Sequence, residues 1–341
     1  MVTKRHMLAP IEWFKVNRPN IQRALIATLV ALGANLAFAQ NYPAKPVRMI
    51  LPYSPGGNTD VIGRMLSQKL SEFLKQSVVV EYKPGASTII GTEFVARSAP
   101  DGYTLLLVGA TGTVINPAIY RSLPYDVQRD FSHIAELCSY ALALSTRPGF
   151  APNSVKELLE FARKNPGAVT YASNGIGSPP HLGGLLIEAM GNVKMTHIAY
   201  KGTGQAMADV MSNNVDFILL GLAASQPLAK AGKLKTLAIG DTKRLKEYPD
   251  IPAMGETLPD YWIGTFFTLS ARAGTPRPII DRLSNETVRV LNSKEFRQPL
   301  EAQGYEVPAH SSPESTTKRL SEELVRWTKI AKAADIQIER E

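Results

Sequence analysis

At 341 residues, 44% of them hydrophobic, the chain is long enough for two domains that each bury a core. Its formal charge of +8 overstates its basicity: Lys4, Arg5, Lys15, Arg18 and Arg23 oppose only Glu12 near the start, and taking five from 38 and one from 30 leaves 33 basic against 29 acidic residues, a net of +4. No run of Lys or Arg is interleaved with aromatics, which argues against nucleic acid as a partner.

The N-terminus has the order of a secretory leader. A basic stretch to Arg23 precedes an apolar run from Ala24 to Phe38, and Ala37-Phe38-Ala39 places small residues where a signal peptidase reads them, so cleavage is expected after Ala39. The run is about 15 residues and contains Asn35, short of the roughly 20 that span a membrane. An uncleaved anchor is the alternative reading, and Met7 is a second candidate start. No later stretch is long and apolar enough to span, so the mature protein is expected to be soluble outside the cytoplasm. Cys138 is the only cysteine. Stability must then come from packing rather than an internal disulfide, and in its apolar neighbourhood Cys138 reads as a small buried residue. No cysteine near residue 40 offers a lipid anchor.

Val47-Arg48-Met49-Ile50-Leu51 is a short apolar run rich in strand formers. It stops at Pro52-Tyr53-Ser54, turns through Pro55-Gly56-Gly57, and enters at Asn58-Thr59-Asp60 a helical pattern with apolar residues at 62, 65, 66, 70 and 73. Glycines let the backbone approach a ligand closely, and the first helical N–H groups, unpaired within the helix, favour an anion. A tight connection with no ligand has the same pattern. Further strands are expected at 78–80 and 104–108, with a helix over 92–99 between them. Strands alternating with helices imply a parallel sheet with right-handed crossovers. The loop Gly109-Ala110-Thr111-Gly112-Thr113 is again rich in glycine and hydroxyls, and loops at the carboxyl ends of such strands face one crevice.

Pro148, Gly149 and Pro152 mark a break over 145–153, and beyond it the pattern restarts. Ser154-Val155-Lys156-Glu157 is a capping box opening a helix to Lys164. A strand at 169–172 leads into Ser173-Asn174-Gly175-Ile176-Gly177-Ser178-Pro179-Pro180 and a helix over 181–190, repeating the opening design of strand, glycine loop and helix. Alternation continues with strands at 193–198, 217–220 and 234–239 and helices over 205–211 and 223–231. Residues 248–259 are irregular, 266–270 is another strand, and Pro276 with Pro278 opens a helix. A last helix after Pro313 carries Leu320, Leu324, Trp327 and Ala331 on one face, a packing stripe. Two units with matching loops suggest two lobes closing on a ligand; periodicity leaves open whether the tail packs back on the first.

No C-x-x-C, H-E-x-x-H or G-x-S-x-G occurs, and the histidines at 6, 133, 181, 197 and 310 are scattered. The Ser54-Pro55-Gly56-Gly57 turn is neither a dinucleotide nor a P-loop fingerprint. A secreted enzyme acting on acyl or phosphoryl substrates therefore lacks its parts. What remains is a set of backbone N–H groups and small polar side chains: Ser54, Gly56, Gly57, Asn58 and Thr59 from one unit, Ser173, Asn174, Gly175, Ser178 and His181 from the other. Charge-assisted hydrogen bonds contribute roughly 1.5 to 3 kcal/mol each and a helix terminus roughly 0.3 to 1, so two or three together can hold a carboxylate. Singly, Asn58 and Thr59 are also helix caps, Ser178 a turn residue, and His181 equally a cap or a ligand contact.

Pro43-Ala44-Lys45-Pro46-Val47-Arg48, Pro55-Gly56-Gly57 with Asp60, Pro100-Asp101-Gly102-Tyr103-Thr104, Ile115-Asn116-Pro117 and Leu123-Pro124-Tyr125-Asp126 stand in an ordered series. It continues with Tyr171-Ala172-Ser173 through His181-Leu182, Tyr200-Lys201-Gly202, Ala231-Gly232-Lys233-Leu234 and Ala273-Gly274-Thr275-Pro276. From about Tyr42 to the 330s the chain resembles the substrate-binding receptors of tripartite tricarboxylate transporters, the Bug-type periplasmic proteins. The resemblance implies an α/β, two-lobed periplasmic binding fold of type II, each lobe a mainly parallel sheet flanked by helices. After a leader over 1–39, lobe 1 would comprise 40–144 and 266–341, with lobe 2 inserted at 145–265. It implies no catalysis and no cofactor. A small organic carboxylate would be held by Tyr53, Ser54, Pro55, Gly56, Gly57, Asn58, Thr59, Thr111, Thr113, Ser173, Asn174, Gly175, Ser178, His181 and Tyr200, partly through water. Its partners would be a large and a small multi-span permease subunit, or a membrane sensor. Departures from the pattern are Asn58 for a glycine, Tyr82 for an asparagine, Ser87-Thr88 for Gly-Gly, and Ala199 for a proline. Around Leu220-Gly221-Leu222 the frequent aspartate is missing, which favours a carboxylate without an amine.

Overall fold

The computed structural model describes residues 42–56, 58–200, 202–333 and 336–337, so the leader and its predicted cleavage site, Gly57 and Lys201 lie outside the described residues. Its strands are β1 (Val47–Leu51), β2 (Val78–Tyr82), β3 (Thr104–Gly109), β4 (Phe131–Thr146), β5 (Thr170–Ser173), β6 (Thr196–Ala199), β7 (Phe217–Gly221), β8 (Lys235–Ile239) and β9 (Gly264–Arg272). They run in the order β2-β1-β3-β9-β4-β7-β5-β6, with β8 on β4. The parallel pairing expected from alternating strands and helices is present where β1 meets β2 and β3 and where β5 meets β6 and β7. Every antiparallel pair involves β4 or β9.

The longest of these strands, β4, joins the two groups. Its residues 131–141 pair with β9, and from Leu142 onward it pairs with β7 and β8. Sequence periodicity gives no sign of it, because all but two of its 16 residues are buried and the alternation of a half-exposed strand is missing. Three backbone bonds tie the crossing: Leu142 N–H to the Ile263 carbonyl at 2.9 Å, Gly240 N–H to the Leu142 carbonyl at 2.7 Å, and Ile263 N–H to the Gly240 carbonyl at 2.8 Å. At Gly264 a Cβ would sit 2.3 Å from the Tyr140 carbonyl oxygen and 3.1 Å from the Ala141 Cα, so only glycine lets the strands meet. Gly264→Ala is therefore expected to destabilise the protein by about 3 kcal/mol, the upper range for overpacking, read as a lower urea midpoint at unchanged slope.

The helices are α1 (Asn58–Leu74), α2 (Ile89–Ala96), α3 (Asn116–Ile119), α4 (Val155–Lys164), α5 (Pro179–Gly191), α6 (Thr203–Met211), α7 (Leu222–Lys230), α8 (Arg277–Leu291), α9 (Lys294–Glu301) and α10 (Pro313–Ala333). Where the sequence suggests a loop at 109–113, β3 runs directly into a wide helical turn, Thr111–Ile115. The capping box forms with one change of partner: Ser154 Oγ accepts the Glu157 N–H at 3.2 Å, while the Glu157 carboxylate accepts from Asn153 N–H, one residue upstream of the cap. The stripe on α10 packs inward as expected, with Leu320, Trp327 and Ala331 buried. Arg319 pairs with Glu136 of β4 at 2.7 Å, and Arg326 donates to the Trp262 carbonyl beside the crossing. Cys138 is buried in β4, and burial pushes its thiol pKa up, which keeps it protonated.

Candidate functional site

The carboxyl ends of β1, β3, β5 and β7 open onto a cavity of about 530 Å³. Tyr53, Ser54 and Thr59 reach it from the β1–α1 connection and Thr111 from the turn after β3. Asn174, Pro179 and Pro180 come from the β5–α5 connection, Thr203 from α6, and Leu219, Leu220, Gly221 and Ala224 from β7 and α7. Tyr140, Leu142, Thr265 and Phe267 of the crossing strands form the remaining wall. An adjoining space of about 370 Å³ shares Tyr53, Ser54, Thr111, Asn174 and Pro179 and adds Gly175 and Ser178.

No charged side chain is among the described residues that line the cavity. Its polarity comes from hydroxyls, one carboxamide and the first turns of helices. Thr59 lies in the first turn of α1, Thr111 opens the helical turn after β3, Thr203 opens α6 and Ala224 lies in the first turn of α7. The turn at Thr111, α6 and α7 each begin without a side-chain cap, so the helix starts that line the space keep leading N–H groups with partial positive charge and no capping side chain. The helix expected to start at His181 begins two residues earlier, at Pro179. Pro179 and Pro180 carry no N–H, so α5 supplies a rigid apolar wall and fewer donors than its glycine loop suggests. Tyr53 is oriented by the Gly109 N–H, which its hydroxyl oxygen accepts at 2.9 Å, leaving the O–H to donate. Burial pushes its pKa up, so it acts as a neutral donor.

Of the fifteen residues expected at the site, Tyr53, Ser54, Thr59, Thr111 and Asn174 line the cavity, and Gly175 and Ser178 line the adjoining space. Gly57 and the side chain of Asn58 lie outside the described residues. Pro55 and Gly56 are exposed and outside both linings, and the Gly56 N–H is taken by the Asp60 carboxylate at 2.8 Å. That carboxylate also accepts from Tyr82, which stands where the resemblance expects asparagine, at 2.5 Å, and from Arg64 at 2.7 Å. The hydrogen bonds of Tyr82 and Gly56, with Arg64 behind them, hold its pKa below the usual range, so Asp60 stays ionised and shapes the loop from within.

Four more expected residues are turned to internal work. Thr113 donates to the Gly109 carbonyl at 3.2 Å, and Tyr200 donates to Asp209 at 2.6 Å. Ser173 is buried; its hydroxyl accepts the Gly175 N–H at 3.1 Å and lies 2.7 Å from His197 Nε2. His181 is buried too, its Nδ1 accepting the Gly177 N–H at 3.0 Å while its ring stacks on His197 at 4.0 Å between centroids. It thus holds the glycine loop from behind, a third role beside the two weighed from sequence. The walls missed from sequence are mostly on β4, β9 and the β7–α7 junction. Gly221, at the carboxyl end of a predicted strand, carried a findable signal; Tyr140, Thr265 and Phe267 did not, because their strands meet only through long-range pairing.

Residues 62–336 match the family model described as the tripartite tricarboxylate transporter family receptor. A solved structure of the periplasmic binding protein BugD is 32% identical, with a TM-score of 0.75 over 88% of this chain and 100% of that one. Rpa4515 of R. palustris, solved with adipate, is 30% identical with a TM-score of 0.78, covering 88% of this chain and 100% of its own. MatC (Rpa3494) of Rhodopseudomonas palustris, solved with bound malate, is 27% identical with a TM-score of 0.74, covering 85% and 99%. Family match, fold and shared architecture agree, and the chain belongs to the tripartite tricarboxylate transporter receptors, Bug-type periplasmic solute-binding proteins with a two-lobed α/β fold.

Proposed function

We propose that the protein is exported by a leader cleaved after Ala39 and captures a small organic carboxylate between two lobes, 40–144 with 266–341 and 145–265. It then hands the acid unchanged to the large and small multi-span subunits of a tripartite tricarboxylate-type transporter. One observation carries the reading: helix starts from both strand groups converge on a cavity lined by neutral donors and apolar walls, with no charged side chain among its described residues. Uncapped N–H groups and hydroxyls attract a carboxylate without neutralising it chemically. Leu142, Leu219, Leu220, Pro179 and Phe267 suit an aliphatic or aromatic body, and no acid is among the described lining residues to meet an amine. Adipate and malate in related structures support the same ligand class. Closure about the β4–β9 crossing would let both groups of donors reach the acid together, so the ligand stabilises the closed state by its contacts there.

Thermal denaturation of the mature protein with mono-, di- and tricarboxylates, aromatic acids included, tests the reading. A bound acid at a hundred times its Kd adds about 2.7 kcal/mol to stability and raises Tm, and the acid should be recovered unaltered. A flat Tm across the whole panel, or turnover of any acid, would sink it.

A further inference from the structure

Behind Tyr53, Ser54, Thr111, Asn174 and Pro179 the cavity is continued by the adjoining space, whose far wall is the connection between β2 and α2. That connection has an unusual backbone. Ala86, Ser87 and Thr88 have φ of 45°, 49° and 76°, three successive residues with side chains in the left-handed region that glycine tolerates and others resist. Such a conformation persists only where its surroundings impose it. Here Asn116, itself buried, donates from Nδ2 to the Ser87 carbonyl at 2.7 Å, and Thr92 Oγ1 donates to the Thr88 carbonyl at 2.9 Å. Glycine at 87 and 88 would relieve the strain, yet this chain places two hydroxyls there, and Ser87, Thr88 and Asn116 all line the chamber.

The opposite wall is Gly175 to Ser178, so the chamber, like the first cavity, lies between residues of both strand groups. No charged side chain is among its described lining residues. A positively charged end group would meet no acid among the described residues there, and a purely apolar one would offer no acceptor to the Ser87 and Thr111 hydroxyls that line it. We infer that this chamber is a second subsite that takes the far carboxylate of an unbranched α,ω-dicarboxylic acid, with Ser87 as a specificity-determining donor, while the first cavity holds the near carboxylate. The inference rests on the carboxylate reading above and adds the class of acid and the residues that choose it.

Isothermal titration calorimetry with adipate, and with hexanoate as the acid of equal length and a single charged end, separates the two ideas. For the unmodified protein, adipate should bind at least about tenfold more tightly than hexanoate. In the S87G/T88G double variant that preference should vanish while hexanoate binds as before. Glycine fits the left-handed positions, so the unliganded Tm should be no lower. Equal affinity for both acids in the unmodified protein, a preference that survives in the variant, or a parallel loss of both acids would overturn the subsite. Hexanoate binding without a diacid preference leaves the carboxylate reading standing and removes only the chamber; binding of neither acid also removes the chamber, and the carboxylate reading then falls only if the whole panel leaves Tm flat.

Discussion

Ala224→Asp is expected to abolish binding of simple organic acids while leaving the protein folded. Ala224 is exposed to the cavity in the first turn of α7, a helix whose N-terminus has no side-chain cap. An aspartate there interacts favourably with the helix dipole, roughly 0.3 to 1 kcal/mol, so the variant should melt no earlier than the unmodified protein. The same charge would face the ligand carboxylate across a space with no cation among its described lining residues to screen it. At about 5 Å and an effective dielectric near 20, like charges repel by roughly 3 kcal/mol, which is a loss of about a hundredfold in affinity. Ala224→Asn matches the size without the charge and should lose less than about tenfold. An acid that also carries an amine should gain relative to its parent, because the introduced aspartate supplies the partner that the residues around Leu220-Gly221-Leu222 lack. Calorimetry on the three proteins with one acid and its amino derivative decides the matter. Equal loss in the Asp and Asn variants would assign the effect to volume, and no loss in either would remove α7 from the site.

How much of this site was legible beforehand depended on whether local chemistry or distant packing made each wall. The β1–α1 and β5–α5 connections were readable because a strand, a glycine turn and an amphipathic helix announce themselves within about twenty residues. The capping box at Ser154 was readable for the same reason. Strand β4 was not, since its side chains are buried on both faces, and with it went Tyr140 and Leu142 of the cavity. Residue type also misled where a polar group had an internal partner. Gly56 has the composition of a ligand loop, but whether its N–H meets a ligand or Asp60 depends on where that carboxylate turns. Ser173 and His181 likewise belong to the right loop and support it from the buried side. A pattern of donors thus locates a binding loop more reliably than it identifies which of its donors are free.

Acidification from pH 7.5 to 5 should destabilise this protein through its buried histidines. Burial holds the His133 imidazole at a pKa of about 4, on β4 with Nδ1 2.9 Å from Ser270 Oγ of β9. Burial, reinforced by His197, holds His181 at about 4 as well, and burial also lowers His197. Around the stacked pair lie Ser173 and the Gly177 N–H, with the Tyr171 ring 5.0 Å from His197. Each ring is therefore neutral in the folded state and takes a proton more readily when unfolded, so stability is complete above pH 6.5 and falls as pH drops toward 4. For His133 and His181 the loss is about 2 kcal/mol each between pH 7.5 and 5, on the order of 3 by pH 4. Glu136, Glu188 and Glu306, whose carboxyls burial pushes up, act in the opposite direction and offset part of it. His181→Asn keeps an acceptor near Nδ1 for the Gly177 N–H but does not titrate, so the unfolding free energies from urea titrations at pH 7.5 and 5 should differ by about 2 kcal/mol less in this variant. Ligand affinity should follow the same course, because protonating His181 removes the acceptor that holds Gly177, and with it the loop carrying Asn174. Should the variant lose as much stability on acidification as the unmodified protein, the stacked pair is not what acid acts on, and His133 at the β4–β9 pairing becomes the group to replace next.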